Sequence, residues 1–360
     1  KKLDLVSRMS GDEFTIAISD QKTADDAANT AVKIGERILY ALQQPFLIEQ
    51  RELFLTGSIG IAIFPHDGQT VTELLKNSDM AMYHAKDVGR NSVQFFDQEM
   101  NEKAVYLLEM ENDLRYAIER EELELYYQPQ YASADCSVQG VEALLRWHHH
   151  SKGMISPGHF IPIIEDTGLI IPIGEWVLRQ ACSDMAKWQQ QGIAINRIAI
   201  NVSARQFKQV DFIPLVQEVI RDSGIDPSQL ELELTESILI DDLGRTLEAL
   251  SQLRAMGVRM AIDDFGTGYS SLSRLKLLPV NKLKVDKSFV DGLPADESDQ
   301  CITRSIIGLA HGMGLQLVAE GVETQAQAQW LREQGCEYLQ GYLFAKPMAL
   351  KDLEDYLAPL

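Results

Sequence analysis

The sequence predicts an α/β protein: a (β/α)8, TIM-like barrel preceded by a partial α+β domain. Two observations carry this reading. Over the last two-thirds of the 360 residues, short strand-like apolar runs alternate regularly with amphipathic helical stretches. Seven of those runs end in residues suited to chemistry: Glu142, Asn201, Glu233, the pair Asp263 and Asp264, Lys284, Glu320 and Gln340. Chemistry gathered at strand carboxyl ends is the plan of a parallel barrel with its site on the top face. So many acids at one mouth would repel each other unless divalent cations sat among them.

The elements follow in order. LDLVSR runs into the turn MSGDEF and out into TIAIS, a hairpin signal; the helix-period TAVKIGERILYALQQPF, the strand-like LTGSIGIAIFP and a helix over 71–86 complete an α+β fragment spanning 1–97. Its core is thin, so a further portion of that domain is expected before residue 1. Residues 98–120 read as a charged connecting helix leading into a barrel over 105–360. There the strand candidates are LELYYQPQ, VEALLRW, RIAINVSA, LELELTES, VRMAIDDFG, KLKVDKSF, LQLVAEGVE and YLQGYLFAKP. Between them, Val177, Ala181, Met185 and Trp188 share a helix face before a stop at Gly192, as do Leu243, Leu247 and Leu250 before Gly257. An open doubly wound sheet would want a glycine-rich phosphate loop after its first strand, and none is present.

Composition narrows the function. A net charge of −20 argues against a nucleic-acid polymer as partner, which needs a basic stripe, but leaves room for a small anionic substrate held through metal ions. The four cysteines form no CxxC pair, which fits a reducing cytoplasm; a membrane anchor, in a longer protein, would lie upstream. The run His148–His150 has no metal-site spacing and reads as a solvated loop. In ELELTES, alternation puts Glu231 and Glu233 on one side and does not choose between them.

EALLRW at 142–147, NVSARQF at 201–207, ELTES at 233–237, DDFGTGYSSL at 263–272, KVDKSF at 284–289, AEGVE at 319–323 and QGYLFAKP at 340–347 together resemble the EAL domain, the bacterial phosphodiesterase of cyclic di-GMP. The resemblance implies a barrel with one antiparallel strand, often dimeric, that hydrolyses cyclic di-GMP to linear pGpG with two Mg2+ or Mn2+ ions. It implies Glu142, Asn201, Glu233 and Asp263 as ligands of one ion, with Asp263 bridging to a second completed by Asp264 and Glu320. Lys284 would act beside the attacking water, supported by Glu323 and Gln340. Gln128, Arg146, Asn201 and Asp286 fall at substrate-binding positions, and Glu236 would anchor the loop DFGTGYSS. Two divalent ions with oxygen ligands suit an in-line displacement at phosphorus, so the chemistry agrees with the motif.

SGDEF at 10–14, SIGIAIFP at 58–65 and SDMAMYHAKDVGRN at 78–91 resemble the C-terminal half of a GGDEF domain, the cyclase that makes cyclic di-GMP from GTP. That likeness implies GTP as a ligand, with Gly11, Asp12 and Glu13 at the substrate turn. Ser10 stands where the family has a glycine, and Lys1 with Asp4 replaces the arginine–aspartate pair of its inhibitory site. The expected role is therefore regulatory. Two other functions compete: a receptor that binds cyclic di-GMP without cleaving it, and a bifunctional cyclase and phosphodiesterase.

Overall fold

The computed structural model describes residues 5–19, 23–48, 51–239, 243–266 and 272–358, and divides into two compact units, Lys1–Glu109 and Met110–Leu360. Positions 1 and 4 and the loop positions 267–271, singled out above, lie outside the described residues.

In the first unit, Leu5–Ser10 pairs antiparallel with Glu13–Ala17 across the expected turn, where Gly11 takes φ +46°. Helices Ala24–Leu42 and Val71–Asp87 follow the apolar period, the second opened by a capping box in which Thr70 and Glu73 bond each other's backbone. The strand expected over 55–65 shrinks to Ile59–Ile61, which runs parallel to Val93–Phe95. A second small ladder, Phe46–Ile48 with Arg51–Leu53, was not anticipated; three-residue strands are too short to display alternation. Ile59–Ile61 lies so close to Val71–Asp87 that a Cβ on Gly60 would stand 1.9 Å from the Ser78 carbonyl oxygen. The connecting helix is Gln98–Tyr116, four residues shorter than expected, with turns over 117–121.

The second unit is an eight-stranded closed barrel: β1 Leu123–Ala132, β2 Val138–His149, β3 Ile198–Val202, β4 Leu230–Thr235, β5 Arg259–Phe265, β6 Lys282–Val285, β7 Gln316–Ala319 and β8 Tyr338–Leu339. Strands β2 to β8 run parallel in sequence order. β1 is reversed, pairing antiparallel with β2 and with β8 to close the ring. Closure removes both edges and with them the open-sheet alternative. β8 is only two residues long, because the chain turns at Gly341 and meets Pro347 soon after.

Helices pack around the outside. The main ones are α1 Ile170–Gln191, α2 Phe212–Ser223, α3 Leu243–Ala255, α4 Glu297–Gly312 and α5 Gln325–Glu333. α1 buries Val177, Ala181, Met185 and Trp188, as its period foretold, and ends at Gly192 in left-handed conformation. Trp188 meets Tyr127 of β1 edge-on at 4.9 Å, and Trp147 of β2 meets Phe160 at 5.7 Å. Such contacts add roughly 0.5–1.5 kcal/mol each beyond area burial, and they clamp the first two strands against their cover.

Candidate active site

Alternate residues of each strand point into the barrel, and here they form two polar layers. In the upper layer the Lys284 ammonium lies 2.6 Å from Glu233 Oε2, 3.1 Å from Asp263 Oδ1, 3.5 Å from Glu142 Oε1 and 2.5 Å from Glu320 Oε1. Lys284 is fully buried. Burial alone would lower its pKa, but the charges of Asp263, Glu142, Glu233 and Glu320 outweigh that and hold it well above the usual lysine range. Two layers are possible because β4 carries Glu231 and Glu233, and β6 carries Lys282 and Lys284, each pair at period two. Glu231 meets Lys282 in the lower layer, with Arg197 and Arg259 at 3.8 Å and 3.6 Å. The alternation that could not rank the two glutamates was correct: both face inward, at different depths.

Glu142 does not end its strand. It is the fifth residue of β2, which continues to His149, and it pairs across the ladder with Gln128. Asn201 Nδ2 and Gln340 Nε2 each donate to it at 2.6 Å, and the Lys284 charge and these bonds bring its pKa below the ordinary value despite complete burial. Gln340 also donates to Gln128 Oε1 at 3.1 Å and accepts from Gln130 at 3.0 Å. It is placed by a close approach at the next residue, where a Cβ on Gly341 would stand 2.1 Å from the Val322 carbonyl oxygen.

Adjacent residues of a strand face opposite ways, yet Asp263 and Asp264 both address the mouth. The backbone explains it. Asp264 adopts φ +51°, and the β5–β6 register slips between Ile262 and Phe265, a local bulge that turns Asp264 back. As a result one carboxylate oxygen each from Asp263, Asp264 and Glu320 lies within 4.8 Å of the others, a group able to hold a cation. Burial, and then neighbouring charge, raises Glu233 well above the usual carboxylate range and Glu320 to about 8, and also raises Asp264. Glu233 Oε1 is buried with no hydrogen-bond partner. An orphaned lone pair and three strained acids suit a hard cation.

The remaining residues lie around this centre. Gln128 Nε2 donates to Ala345 O at 3.1 Å. Arg146 is half-buried, its guanidinium 5.4 Å over the Tyr126 ring. Asp286 caps the short helix Lys287–Val290 by accepting from Ser288 N at 3.0 Å. Glu323, expected to support Lys284, instead pairs with Lys287 at 2.5 Å on the exposed rim. Glu236 Oε2 accepts from Gly266 N at 3.4 Å, at the last described residue before the loop it was expected to anchor. Asp12 and Glu13 lie in the first unit, exposed at the hairpin turn, where Ser10 Oγ donates to Glu13 at 3.1 Å. Sequence reasoning missed Lys282, Gln130 and the lower layer, although KLK at the same spacing as ELE was a visible signal. It also misplaced the histidines. His149 is buried and its Nε2 lies 3.0 Å from Asp113, while His148 and His150 pair with Glu124 and Glu122.

A closed β/α barrel that gathers acids around a buried lysine at its strand ends defines a class, barrels with an acidic site able to hold a cation at that end. The particular family follows from comparison: the EAL domain model matches residues 111–347, and the chain belongs to that family. The diguanylate cyclase GGDEF domain matches residues 1–92. The bifunctional diguanylate cyclase/cyclic di-GMP phosphodiesterase MucR of Pseudomonas aeruginosa is 45% identical over 350 residues, covering 97% of this chain and 50% of MucR. The cyclic di-GMP phosphodiesterase NbdA of the same organism is 40% identical over 354 residues, covering 98% of this chain and 45% of NbdA. The chain thus spans about half the length of these relatives. The solved PaMucR phosphodiesterase in complex with c-di-GMP superposes with TM-score 0.66 at 46% identity, covering 68% of this chain and 99% of that one.

Proposed function

We propose that this chain is a metal-dependent phosphodiesterase that hydrolyses cyclic di-GMP to linear pGpG. The observation that carries the reading is the charge of the mouth. Five carboxylates (Glu142, Glu233, Asp263, Asp264 and Glu320) stand against the one ammonium of Lys284. The four negative charges left over match two divalent cations, and a receptor that no longer cleaves its ligand would have little use for them. MucR and NbdA, which bear phosphodiesterase names, support the substrate, as does the c-di-GMP complex of PaMucR.

Mg2+ or Mn2+, two per barrel, would supply Lewis-acid charge for an in-line displacement at phosphorus. Asp263, Asp264 and Glu320 would hold one ion, and Glu142, Asn201 and Glu233, sharing Asp263, the other. Lys284, kept charged by the acids around it, would orient the attacking water and stabilise charge developing on the phosphate oxygens. Gln340, itself held by Gln128 of the adjoining β1, fixes Glu142. Gln128, Arg146 and Asp286 receive the substrate, and Glu323 holds Lys287 at the rim. The GGDEF part acts as a regulatory module that takes GTP at the turn of Gly11, Asp12 and Glu13, and the barrel works as a homodimer.

The test is turnover of cyclic di-GMP with Mg2+ or Mn2+, followed by chromatography. The wild-type chain should yield the linear dinucleotide, while Lys284→Ala, Asp263→Asn and Glu142→Ala should each lower the rate by at least about a hundredfold with the fold intact by circular dichroism. Tight binding without product under either metal would make the chain a receptor, and wild-type rates in the variants would overturn the site.

A further inference from the structure

The end of the barrel opposite the mouth is lined by cations. Arg254 stands in the last turn of α3, Arg259 begins β5, and Lys276 lies on the connection into β6. With Asn281 they border a cleft of about 390 Å3 at the amino ends of β5, β6 and β7, and no carboxylate lines it. In a chain of net charge −20, such a patch is unexpected.

The side-chain hydrogen-bonding groups that the cleft leaves unengaged are donors. The Arg254 and Lys276 side chains are exposed and have no hydrogen bond or ion pair among the described residues. Arg259 gives one nitrogen to Gln316 Oε1 at 2.9 Å and faces Glu231 with another, which leaves the rest of its fork open. Asn281 Oδ1 accepts from Met260 N at 3.0 Å, so its amide NH2 remains to donate. The acids nearby are engaged elsewhere: Glu231 with Lys282, and Glu337 with His311 and with Leu317 N. The dipole of α3 would account for Arg254 alone. It does not account for an arginine at a strand start or for a free amide donor beside it.

We propose that this cleft binds a phosphoryl oxyanion through Arg254, Lys276, the open edge of Arg259 and the Asn281 amide. Unengaged donors, two of them in charged groups that nothing else among the described residues neutralises, match phosphate chemistry. Among the described residues no aromatic side chain borders the cleft, so they would not stack a nucleobase and recognition stops at the phosphoryl group.

The test is calorimetric titration of the full chain with inorganic phosphate, pyrophosphate and glycerol 3-phosphate in buffer free of divalent metal. Under those conditions the acidic mouth repels anions, and the double variant separates binding in this cleft from any at the GTP turn of the first unit. One saturable site per chain is expected, weakened by about tenfold or more in Arg254→Ala/Lys276→Ala and by added potassium chloride. Both side chains are exposed, so the double variant keeps its fold, which its thermal midpoint will verify. Binding by the inorganic anions alone identifies a free oxyanion, and equal binding of glycerol 3-phosphate an esterified one. No saturable binding in the millimolar range, or binding unchanged in the double variant, overturns the proposal.

Discussion

Stripped of cations, the mouth can balance its acids only by taking up protons, and Glu320 is where that should be measurable. Burial above all raises its pKa, Lys284 pulls it down and Asp263 and Glu142 push it up, to about 8 in all. An unfolded glutamate titrates near about 4.3. Between the two values the folded chain holds a proton that the unfolded chain has lost, so raising the pH disfavours the fold. The thermal midpoint of chelator-treated protein should therefore fall from about pH 5 to about pH 8, and Mn2+ should reverse the fall while releasing protons. A midpoint flat across that window would mean the carboxyl is not buried as described. Glu122 gives a second case. It accepts from the fully buried Trp147 Nε1 at 3.0 Å and from His150 at 2.8 Å. Glu122→Leu strands the indole N–H, and urea denaturation should show a loss of about 1–3 kcal/mol. A change below a few tenths would mean that water reaches the indole.

Paired strands show what could be read in advance and what could not. The ends of β3, β4, β5 and β6 stood out because Asn201, Glu233, Asp263 and Lys284 close apolar runs. Glu142 was found by the same rule although β2 runs on to His149. The rule works on polarity, and polarity marks where a side chain enters the barrel, not where hydrogen bonding stops. Depth was the harder quantity. Glu231 and Glu233 differ by one pleat, and only the match to Lys282 and Lys284 across the barrel assigns each to a layer. The lower layer carries its own prediction. Lys282→Met leaves Glu231 in the barrel core without its nearest cation, a cost of about 3–5 kcal/mol by chemical denaturation, and adding Glu231→Leu should recover most of it. If the double variant is no better than the single, the two side chains are not a coupled pair.

At the scale of the whole chain, the barrel's alternation was legible because amphipathic helices separate most of its strands from β2 onward. The reversed strand was not legible in the pattern itself, since LELYYQPQ reads the same in either direction; the family resemblance implied one antiparallel strand, and the register of Gln128 with Glu142 and of Tyr131 with Leu339 identifies it as β1. The second unit has its own continuous core, from Met110 and Leu114 to Leu353. A fragment comprising residues 110–360 should therefore unfold in one cooperative transition by circular dichroism; a broad, non-cooperative melt would mean the barrel depends on what precedes it. The reversal of β1 also sets the polarity of attachment. In an all-parallel ring the incoming chain reaches the first strand from the floor. Here Leu123 lies opposite Trp147, at the rim where β2 and its neighbours finish, so the lead-in through Glu122 arrives on the working side. A tug on that lead is thus a tug on the rim itself.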